Sequence, residues 1–506
     1  MPAALHLLRA ALPLCVACSI TASSAAITRN WVHKSYPDGF RAELEKVENG
    51  RVYLKRESDG RTISLNIDGL SAYDQRWVER YLQRKDKPTG SSTRPATGST
   101  PAAGGGPAPG QFDWPQWRGP NRDGKSAETG LLSSWPPQGP PKRWSANGLG
   151  KGYASVAVAG GRVYTAGNRG GTEYLICLDD SVGKQLWVCP IGRGDHCNGT
   201  PTVDDGLVFA IGLDGDVLCA DAQTGREVWR KNFQRDFGGK MMSQWGFSES
   251  PLVDGSGVIL TPGGQRAMLV ALNKRTGETF WATQFPDVQG QGKDGAGYSS
   301  VVVSNAGGVR QYVQNVGRGA IGVEARTGKL LWGYNKIAND TANIPTPIVW
   351  DDYVFVSNGY NAGAALLRLA AGAGGIKARE IYFLPANQMQ VHHGGMILHE
   401  GHVYCGHGQS QGYPLCLNVA SGKVAWGPER GAGTGSAAIT YADGHLYMRY
   451  ENGTMALVEA NPNAYRLKGQ FRIATVHDKS WPHPAIANGK LYLRDQDDLH
   501  CYALRP

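Results

Sequence analysis

The sequence predicts an all-β protein: an eight-bladed β-propeller over residues 113–506, preceded by a small SH3-like barrel and a flexible linker. Two repeated patterns carry this prediction. An alternating apolar strand that follows a turn recurs eight times, with a period of about 42 to 52 residues, which is the spacing of propeller blades. After most of these strands, an acidic or amide residue is followed by a glycine and then by a tryptophan. The composition agrees, because 69 glycines and 19% charged residues suit a turn-rich β protein.

The first 26 residues are typical of a signal peptide. Arg9 precedes a short apolar stretch at residues 10–20, and small residues up to Ala26 form a cleavage region. The apolar stretch is short for a membrane span, and an uncleaved N-terminal anchor is the alternative. The sequence therefore predicts export to the periplasm, the cell envelope or the extracellular space, with no transmembrane segment in the mature chain.

Charge and cysteine content exclude some function classes. The formal net charge is +9, but the lysines and arginines are scattered, which indicates a solvated basic surface and no nucleic-acid site. Of the nine cysteines, Cys189 and Cys197 could pair across a loop in an oxidising compartment. The sequence has no Cys-x-x-Cys-His haem site and no adjacent Cys-Cys pair.

Residues 27–85 are predicted to form a small β domain. Asn49-Gly50 and Asp59-Gly60 turns separate alternating strands, which is a strong hairpin signal, and Ser71 is the expected N-cap of a following helix. This unit resembles the SLA-type homology domain, an SH3-like fold, and the resemblance implies peptide or polymer binding. The residues that carry it are Arg29-Asn-Trp31, Gly39-Phe40, Val52-Tyr-Leu-Lys55, Asp59-Gly60-Arg61 and Leu70-Ser71-x-x-Asp74.

Residues 86–112 are rich in Pro, Gly, Ser and Thr and are predicted to be a disordered linker. The two domains that it joins are expected to move independently.

The propeller prediction depends on one recurring strand and on one recurring turn with its tryptophan. In the turn, the acidic or amide side chain bonds the backbone, glycine supplies the positive φ, and the tryptophan covers the neighbouring blade. The tryptophans are Trp187, Trp229, Trp281, Trp332 and Trp426. The strands are Gly161-Arg-Val-Tyr164, Gly206-Leu-Val-Phe209, Gly257-Val-Ile-Leu260, Arg310-Gln-Tyr-Val313, Asp352-Tyr-Val-Phe355, Gly401-His-Val-Tyr404, Gly444-His-Leu-Tyr447 and Gly489-Lys-Leu-Tyr492.

Trp144 lies before the first full repeat and has no blade of its own, whereas the last strands of the chain lack a partner. The strand at Trp144 is therefore predicted to complete the C-terminal blade, which closes the ring and removes exposed sheet edges.

The Asp-x-x-x-Gly-x-x-x-Trp turn resembles the repeat of pyrroloquinoline quinone (PQQ) dehydrogenases. That repeat is shared with the propeller of the outer-membrane assembly lipoprotein, which binds a partner protein and no quinone. Residues 113–506 also resemble a bacterial family of PQQ-like propellers. The motifs are Trp114-Pro-Gln-Trp-Arg118-Gly-Pro-Asn-Arg-Asp-Gly124, Trp245-Gly-Phe-Ser-Glu-Ser-Pro251, Thr341-Ala-Asn-Ile-Pro-Thr-Pro347, His392-His-Gly-Gly395 and Ser480-Trp-Pro-His-Pro484.

The loops that precede the innermost strands of a propeller converge at the mouth of its channel. Here they carry polar and aromatic side chains, as a pocket for a small ligand or a peptide requires. The alternative is that they line the channel and bond only water and backbone. The candidates are His196, Asn198, Trp245, Glu249, Tyr298, Asn343, His392, His393, Trp481 and His483.

Metal and cofactor binding are weaker interpretations. Adjacent strand residues such as His392 and His393 are expected to point to opposite faces and not to share one ion. Ca²⁺ with PQQ would need a carboxylate, an amide and an aromatic, for which Glu249, Asn343 and Trp245 are the candidates. No catalytic residue is predicted. The first hypothesis is an exported, non-catalytic scaffold that binds a protein, peptide or polymer without a cofactor; the second is a PQQ- and Ca²⁺-dependent oxidoreductase of alcohols or sugars.

Overall fold

The computed structural model describes residues 27–33, 35–56, 58–70, 78, 82, 110–285, 290–372 and 375–506. The chain divides into two units, Met1–Ala96 and Thr97–Pro506. The predicted signal peptide, the predicted cap Ser71 and residues 86–109 of the predicted linker lie outside the described residues. Within the described ranges, no helix is long and apolar enough to cross a membrane.

The first unit contains a four-stranded antiparallel sheet in the order β1-β2-β3-β4. Asn49 and Gly50 both have positive φ, so the first predicted hairpin turn has the backbone that an Asn-Gly pair favours. Val52, Leu54 and Leu65 are buried in its core. The assignment to the SLA-type homology domain stays a prediction. The strands are β1 (Ile27–His33), β2 (Tyr36–Glu48), β3 (Arg51–Arg56) and β4 (Thr62–Asn66).

The second unit has a propeller-like, all-β fold whose described residues form eight four-stranded antiparallel sheets. A single strand, β5 (Lys142–Ala146), precedes them. Sheet 1 contains β6 (Ala157–Ala159), β7 (Arg162–Arg169), β8 (Thr172–Asp179) and β9 (Gln185–Arg193). Sheet 2 contains β10 (Thr202–Asp204), β11 (Leu207–Ile211), β12 (Asp216–Asp221) and β13 (Glu227–Asn232), followed by helix α1 (Phe233–Phe237). Sheet 3 contains β14 (Leu252–Asp254), β15 (Gly257–Leu260), β16 (Val270–Asn273) and β17 (Thr279–Ala282).

The remaining sheets repeat this arrangement. Sheet 4 contains β18 (Val302–Ser304), β19 (Gln311–Val316), β20 (Gly319–Glu324) and β21 (Leu330–Tyr334). Sheet 5 contains β22 (Ile348–Trp350), β23 (Tyr353–Asn358), β24 (Gly363–Gly372) and β25 (Gly375–Leu384). Sheet 6 contains β26 (Val391–His399), β27 (His402–His407), β28 (Tyr413–Asn418) and β29 (Val424–Trp426). Sheet 7 contains β30 (Ala437–Ala442), β31 (His445–Tyr450), β32 (Thr454–Glu459) and β33 (Leu467–Arg472).

Sheet 8 contains β34 (Ala485–Ala487), β35 (Lys490–Asp495) and β36 (Asp498–Ala503), and its fourth strand is β5. Trp144 of β5 lies opposite Cys501 of β36. A buried apolar cluster joins this sheet to sheet 1 and includes Trp144, Tyr492 and Ile176. The strand that has no sheet of its own in the sequence therefore pairs with the last strand of the chain.

Four tryptophans at the ends of the sheets lie on the turn glycine of the next repeat: Trp144 on Gly183, Trp187 on Gly225, Trp229 on Gly277 and Trp281 on Gly328. Trp144 donates its indole N–H to Asp180 O at 2.9 Å. Equivalent bonds run from Trp229 to Lys274 O (2.9 Å), from Trp281 to Ala325 O (3.1 Å) and from Trp426 to Asn461 O (2.8 Å). Trp332 differs, because its N–H bonds Gln311 Oε1 of its own sheet at 2.6 Å.

Residues 114–126, the central segment, run between the first strands of sheets that lie on different sides of the unit. Trp114 pairs with Val158 of sheet 1, and Pro115 O accepts from Val203 N of sheet 2 at 2.8 Å. On another side, Ser126 N donates to Tyr441 O of sheet 7 at 2.9 Å.

Two arginines anchor the central segment. Arg122 donates to Ser250 O at 2.8 Å and to Pro251 O at 2.9 Å, just before sheet 3. Arg118 donates to Met396 O of sheet 6. Because one short segment bonds sheets 1, 2, 6 and 7 and the loop before sheet 3, it fills the space that the first strands surround. This position was not predicted from the sequence, where the motif indicated only a family resemblance.

Candidate functional site

Aromatic and histidine side chains from several loops meet at one end of the first strands. We call this group the mouth ring, and its centre is Trp481. The ring centroid of Trp481 lies 4.8 Å from Tyr153, 4.7 Å from His393 and 6.3 Å from His392. Its members are Tyr153, His196, Trp245, Tyr298, Tyr360, His392, His393 and Trp481.

The mouth ring extends from Tyr153 to the loop before sheet 2. His196 lies edge-on to Tyr153 at 5.7 Å, and its Nδ1 hydrogen-bonds the exposed carboxylate of Asp195. Asn198 bonds Trp245 O at 3.1 Å and Ser248 Oγ at 2.9 Å, so this predicted residue holds the next loop.

Trp245 is the most exposed aromatic of the mouth ring, with 39% of its surface accessible. It lies edge-on to the nearly buried Tyr298 at 5.9 Å. The Tyr298 hydroxyl is fixed by Ser243 Oγ at 2.6 Å, and Ser243 in turn donates to Thr341 O. A fixed ring beneath an exposed ring is the arrangement of an aromatic anchor for a ligand.

His392 and His393 do not alternate as the sequence analysis expected. The pairing of β26 with β27 is irregular between Val391 and Met396, and the two imidazole rings lie 4.6 Å apart. A β-bulge removes the strict alternation of strand side chains, which is the physical reason for the difference.

The imidazole of His392 is held on both sides. Its Nε2 lies 3.0 Å from the Tyr360 hydroxyl and its Nδ1 lies 2.8 Å from Ser436 Oγ. Burial lowers the pKa of His392 to about 4, so the ring is neutral at physiological pH.

His483 lies beneath the mouth ring and is 5% exposed. Its Nε2 bonds His393 O at 2.9 Å, and its ring lies 4.5 Å from Trp117 of the central segment. Burial lowers the pKa of His483 to about 3. The central segment therefore forms the floor of the site.

Glu249 and Asn343 are not at the surface of the mouth. Glu249 is 3% exposed, and its oxygens accept from Thr261 N (2.6 Å) and Thr261 Oγ1 (2.8 Å); burial raises its pKa to about 8. Asn343 is fully buried, accepts from Asn339 N at 3.1 Å, and donates to Val316 O at 2.9 Å. Because these oxygens hold loops together, the pair does not fit the ligand set that Ca²⁺ with PQQ would need.

Cysteine and metal chemistry have no centre in the described residues. Cys189 and Cys197 are both free and buried, so the pairing considered from the sequence is absent. The Cys197 thiol instead donates to Glu173 Oε1 at 3.4 Å. Across the described ranges, no group of three or more His, Cys, Asp or Glu side chains is placed to hold a metal ion.

Two open cavities beside the mouth ring share Thr434 and Gly435, and we call them the side groove. Their volumes are about 270 and 430 Å³. Lys479 lies between the side groove and the mouth ring. Its Nζ lies 3.4 Å from Glu451, which lines the groove, and 5.1 Å from the ring centre of Trp481. The groove was not predicted from the sequence, because its walls come from four separate segments of the chain. The other lining residues are Gln411, Tyr413, Pro428, Glu429, Arg430, Gly433, Asn452, Arg472, Val476 and Asp478.

Comparison with known proteins finds relatives over parts of the chain. An alignment of 223 residues with the lupanine 17-hydroxylase [cytochrome c] of Pseudomonas sp shows 27% identity and covers 38% of this chain and 31% of that protein. An alignment of 103 residues with the outer membrane protein assembly factor BamB of Xanthomonas campestris pv. campestris shows 34% identity and covers 18% of this chain and 24% of that protein. The matches therefore span about a third or less of these relatives.

Among solved structures, the quinohemoprotein alcohol dehydrogenase of Comamonas testosteroni superposes with a TM-score of 0.53 at 13% identity, over 78% of this chain and 80% of that one. At this identity the likeness shows the fold alone. The family model described as outer membrane protein assembly factor BamB matches residues 133–215 and 190–428. Since the matched residues make up more than half of the chain, this protein belongs to that family.

Proposed function

We propose that this protein is an exported, closed eight-bladed propeller that binds a protein, peptide or polymer partner at the mouth ring and performs no catalysis. One observation carries the proposal: half-exposed aromatic rings lie over a channel that the central segment fills. A site with a solid floor and an aromatic rim offers a surface for docking rather than a passage or a deep substrate pocket.

The closed ring of eight blades is the framework of the proposal. Eight four-stranded sheets and the pairing of β5 with β36 support it. The buried cluster between sheets 8 and 1 supports it as well. A ring without free sheet edges holds its loops at fixed positions, which preorganises a binding surface.

The side groove defines the path along which the proposed partner would lie. It leads from Trp481 past Lys479 and Glu451 to the exposed Tyr413. A groove with both charges and with aromatic residues at each end suits an extended peptide whose large side chains fill the two ends. The predicted N-terminal domain adds a second contact, and two linked contacts gain avidity when both are engaged.

A peptide-binding assay tests the proposal. A library of extended peptides displayed on phage is selected against the full chain, and selected peptides are measured by fluorescence anisotropy. Trp245→Ala and Trp481→Ala are expected to weaken binding about tenfold or more, because each removes an aromatic anchor. Phe280→Ala is the matched control, since Phe280 is 50% exposed on β17, away from the mouth ring. Equal affinity of all variants would place the binding surface elsewhere.

A quinone-dependent oxidoreductase is the second candidate. The match to a Pseudomonas hydroxylase and the dehydrogenase-like fold favour it. The positions of Glu249 and Asn343 argue against this candidate. Their side-chain oxygens, which would have to bind Ca²⁺, already accept hydrogen bonds inside the protein. The test is to add PQQ with Ca²⁺ and to follow cofactor absorbance, thermal stability and dye-linked alcohol oxidation. Saturable binding with turnover would replace the scaffold proposal, whereas no change at high PQQ would remove the enzyme candidate.

A further inference from the structure

Several polar atoms in the mouth ring and beneath it are buried and have no hydrogen-bond partner among the described residues. They are Nε and Nη1 of Arg118, both ring nitrogens of His393, Nδ1 of His483 and Nε1 of Trp481. Buried polar atoms are normally satisfied, so a concentration of exceptions needs a physical reason. We call these four residues the buried polar cluster.

The four side chains are neighbours. His483 bonds His393 O at 2.9 Å, and the rings of His393 and Trp481 lie 4.7 Å apart. Arg118 Nη1 and His483 Cε1 both lie against Gly395, too close for a side chain at that position. Gly395 has a φ of 73°, so the backbone there also favours glycine. The buried polar cluster is therefore one site that reaches the mouth through His393 and Trp481, which are half-buried.

The buried polar cluster contains a buried cation, Arg118, whose charge is offset only in part by the nearby carboxylate of Asp123, which acts to raise the pKa of Arg118. Arg118 is 4% exposed, and its Nη2 donates only to the main-chain oxygens of Asp123 and Met396. No ion pair joins it to a carboxylate within the described part of the chain. Burial lowers the pKa of Arg118 to about 10, which reflects the cost of keeping this cation out of water.

The donors specify the missing group. Arg118 Nη1 offers two N–H groups, Arg118 Nε and Trp481 Nε1 offer one each, and His393 offers one more in its neutral form. His483 is not one of the donors, because its Nε2 donates to His393 O and its Nδ1 is therefore an acceptor. We propose that the buried polar cluster binds a carboxylate of the ligand that docks on the mouth ring. One carboxylate balances one guanidinium, whereas a phosphate dianion would leave an excess negative charge in a buried site. This inference rests on the proposed binding function, whose ligand it describes more closely.

The test uses the full chain and sodium acetate as the probe, with sodium chloride at the same ionic strength as the reference. Acetate binding is measured by saturation-transfer difference NMR of the methyl protons and by the shift of the thermal unfolding midpoint. Saturable acetate binding is expected. Trp481→Phe keeps the aromatic ring and removes the N–H, and it is expected to weaken acetate binding about tenfold, the effect of one lost charge-assisted hydrogen bond.

Trp187→Phe is the matched control, because the Trp187 Nε1 is also buried without a partner but belongs to β9 at the outer end of sheet 1. It is expected to leave acetate binding unchanged. Arg118→Gln, provided that its circular dichroism matches the wild type, is expected to abolish binding. If Arg118→Gln does not fold, the comparison of the two phenylalanine variants decides alone.

Three results would overturn the inference: no acetate binding by the wild type, equal binding by both phenylalanine variants, or tighter Trp481-dependent binding of phosphate than of acetate. The peptide assay separates this failure from that of the proposed function. A protein that binds peptides but not acetate retains the docking function and loses the carboxylate site. A protein that binds acetate but no peptide keeps the site and loses the proposed partner.

Discussion

Trp187 lies directly over Gly225, where a Cβ atom would be 2.5 Å from Cε3 of the indole. Gly225 has a φ of 73°, so the same residue supplies the turn conformation and the space for the tryptophan of the preceding sheet. The glycine and the tryptophan of the repeat are therefore two sides of one contact between successive sheets.

Gly225→Ala is expected to destabilise the protein through both strain and overlap with Trp187. Gly206→Ala is the matched control, because Gly206 has a φ of 77° and nothing within 4 Å of a Cβ position. The control is expected to cost about 1 kcal/mol for positive φ alone, and Gly225→Ala about 1–3 kcal/mol more. Urea unfolding measures the difference, and equal losses would show that the indole moves away freely.

Trp144→Phe is expected to cost more than Trp187→Phe. The Trp144 N–H donates to Asp180 O at 2.9 Å, whereas the Trp187 N–H is buried without a partner. Removing Trp144 Nε1 breaks a buried bond between sheets 8 and 1 and leaves Asp180 O with only the longer bond from Lys490 Nζ at 3.3 Å, which costs about 1 kcal/mol. The unfolding free energies of the two variants provide the comparison, and a smaller loss for Trp144 would contradict the importance of this bond.

Arg122→Met is expected to destabilise the central segment by about 1–3 kcal/mol, since it leaves Ser250 O without its donor and Pro251 O with Thr202 Oγ1 alone. Arg122→Lys should recover only part of the loss, because an ammonium cannot reach both oxygens as a planar guanidinium does. Arg266→Met, at an exposed position, is the control and should change stability little. Differential scanning calorimetry would report these losses, and an unchanged midpoint for Arg122→Met would mean that the central segment is dispensable.

Acid is expected to destabilise the fold through the histidines at the mouth. Burial lowers the pKa of His483 to about 3 and that of His392 to about 4. Histidines in the unfolded chain have a pKa near 6.5. Between that pH and the lower pKa of the folded state, the unfolded chain therefore binds more protons than the folded chain. Stability should fall as the pH drops below about 6.5, by about 1.4 kcal/mol per pH unit for each histidine, until the folded pKa is reached.

His483→Gln should reduce this slope, even though it also loses a hydrogen bond at neutral pH. His402→Gln on β27 is the control for the loss of an imidazole outside the mouth ring. The measurement is the free energy of unfolding between pH 4 and pH 7. An identical slope in all three proteins would assign the acid sensitivity to other groups.

Local signals predicted much of what the structure contains. The Asn49-Gly50 turn lies between β2 and β3. The eight recurring strands of the sequence are the second strands of the eight sheets: β7, β11, β15, β19, β23, β27, β31 and β35. Both depend on short-range rules, because turn conformation and side-chain alternation are determined within a few residues. The pairing of the Trp144 strand with the C-terminal strands was predicted by counting the repeats, because one strand at each end of the series lacked a partner.

The site was less predictable. Sequence position placed Glu249 and Asn343 with the mouth residues, but a carboxylate or amide in a loop can face either the opening or the interior. The bulge in β26 that places His392 and His393 side by side was not predicted from any residue pattern in the sequence. The unpaired charge of Arg118 depends on which groups surround it in three dimensions.

The sequence by itself determined the repeated turn, the alternating strands and the need for one strand to find its partner at the other end of the chain. These features arise from interactions that each repeat makes locally or with its immediate neighbour. Only the tertiary structure decided that residues 114–126 occupy the centre and that Trp481, His393, His483 and Arg118 meet beneath the mouth. Those contacts join segments that are far apart in the sequence, and their burial and charge exist only once the fold brings the segments together.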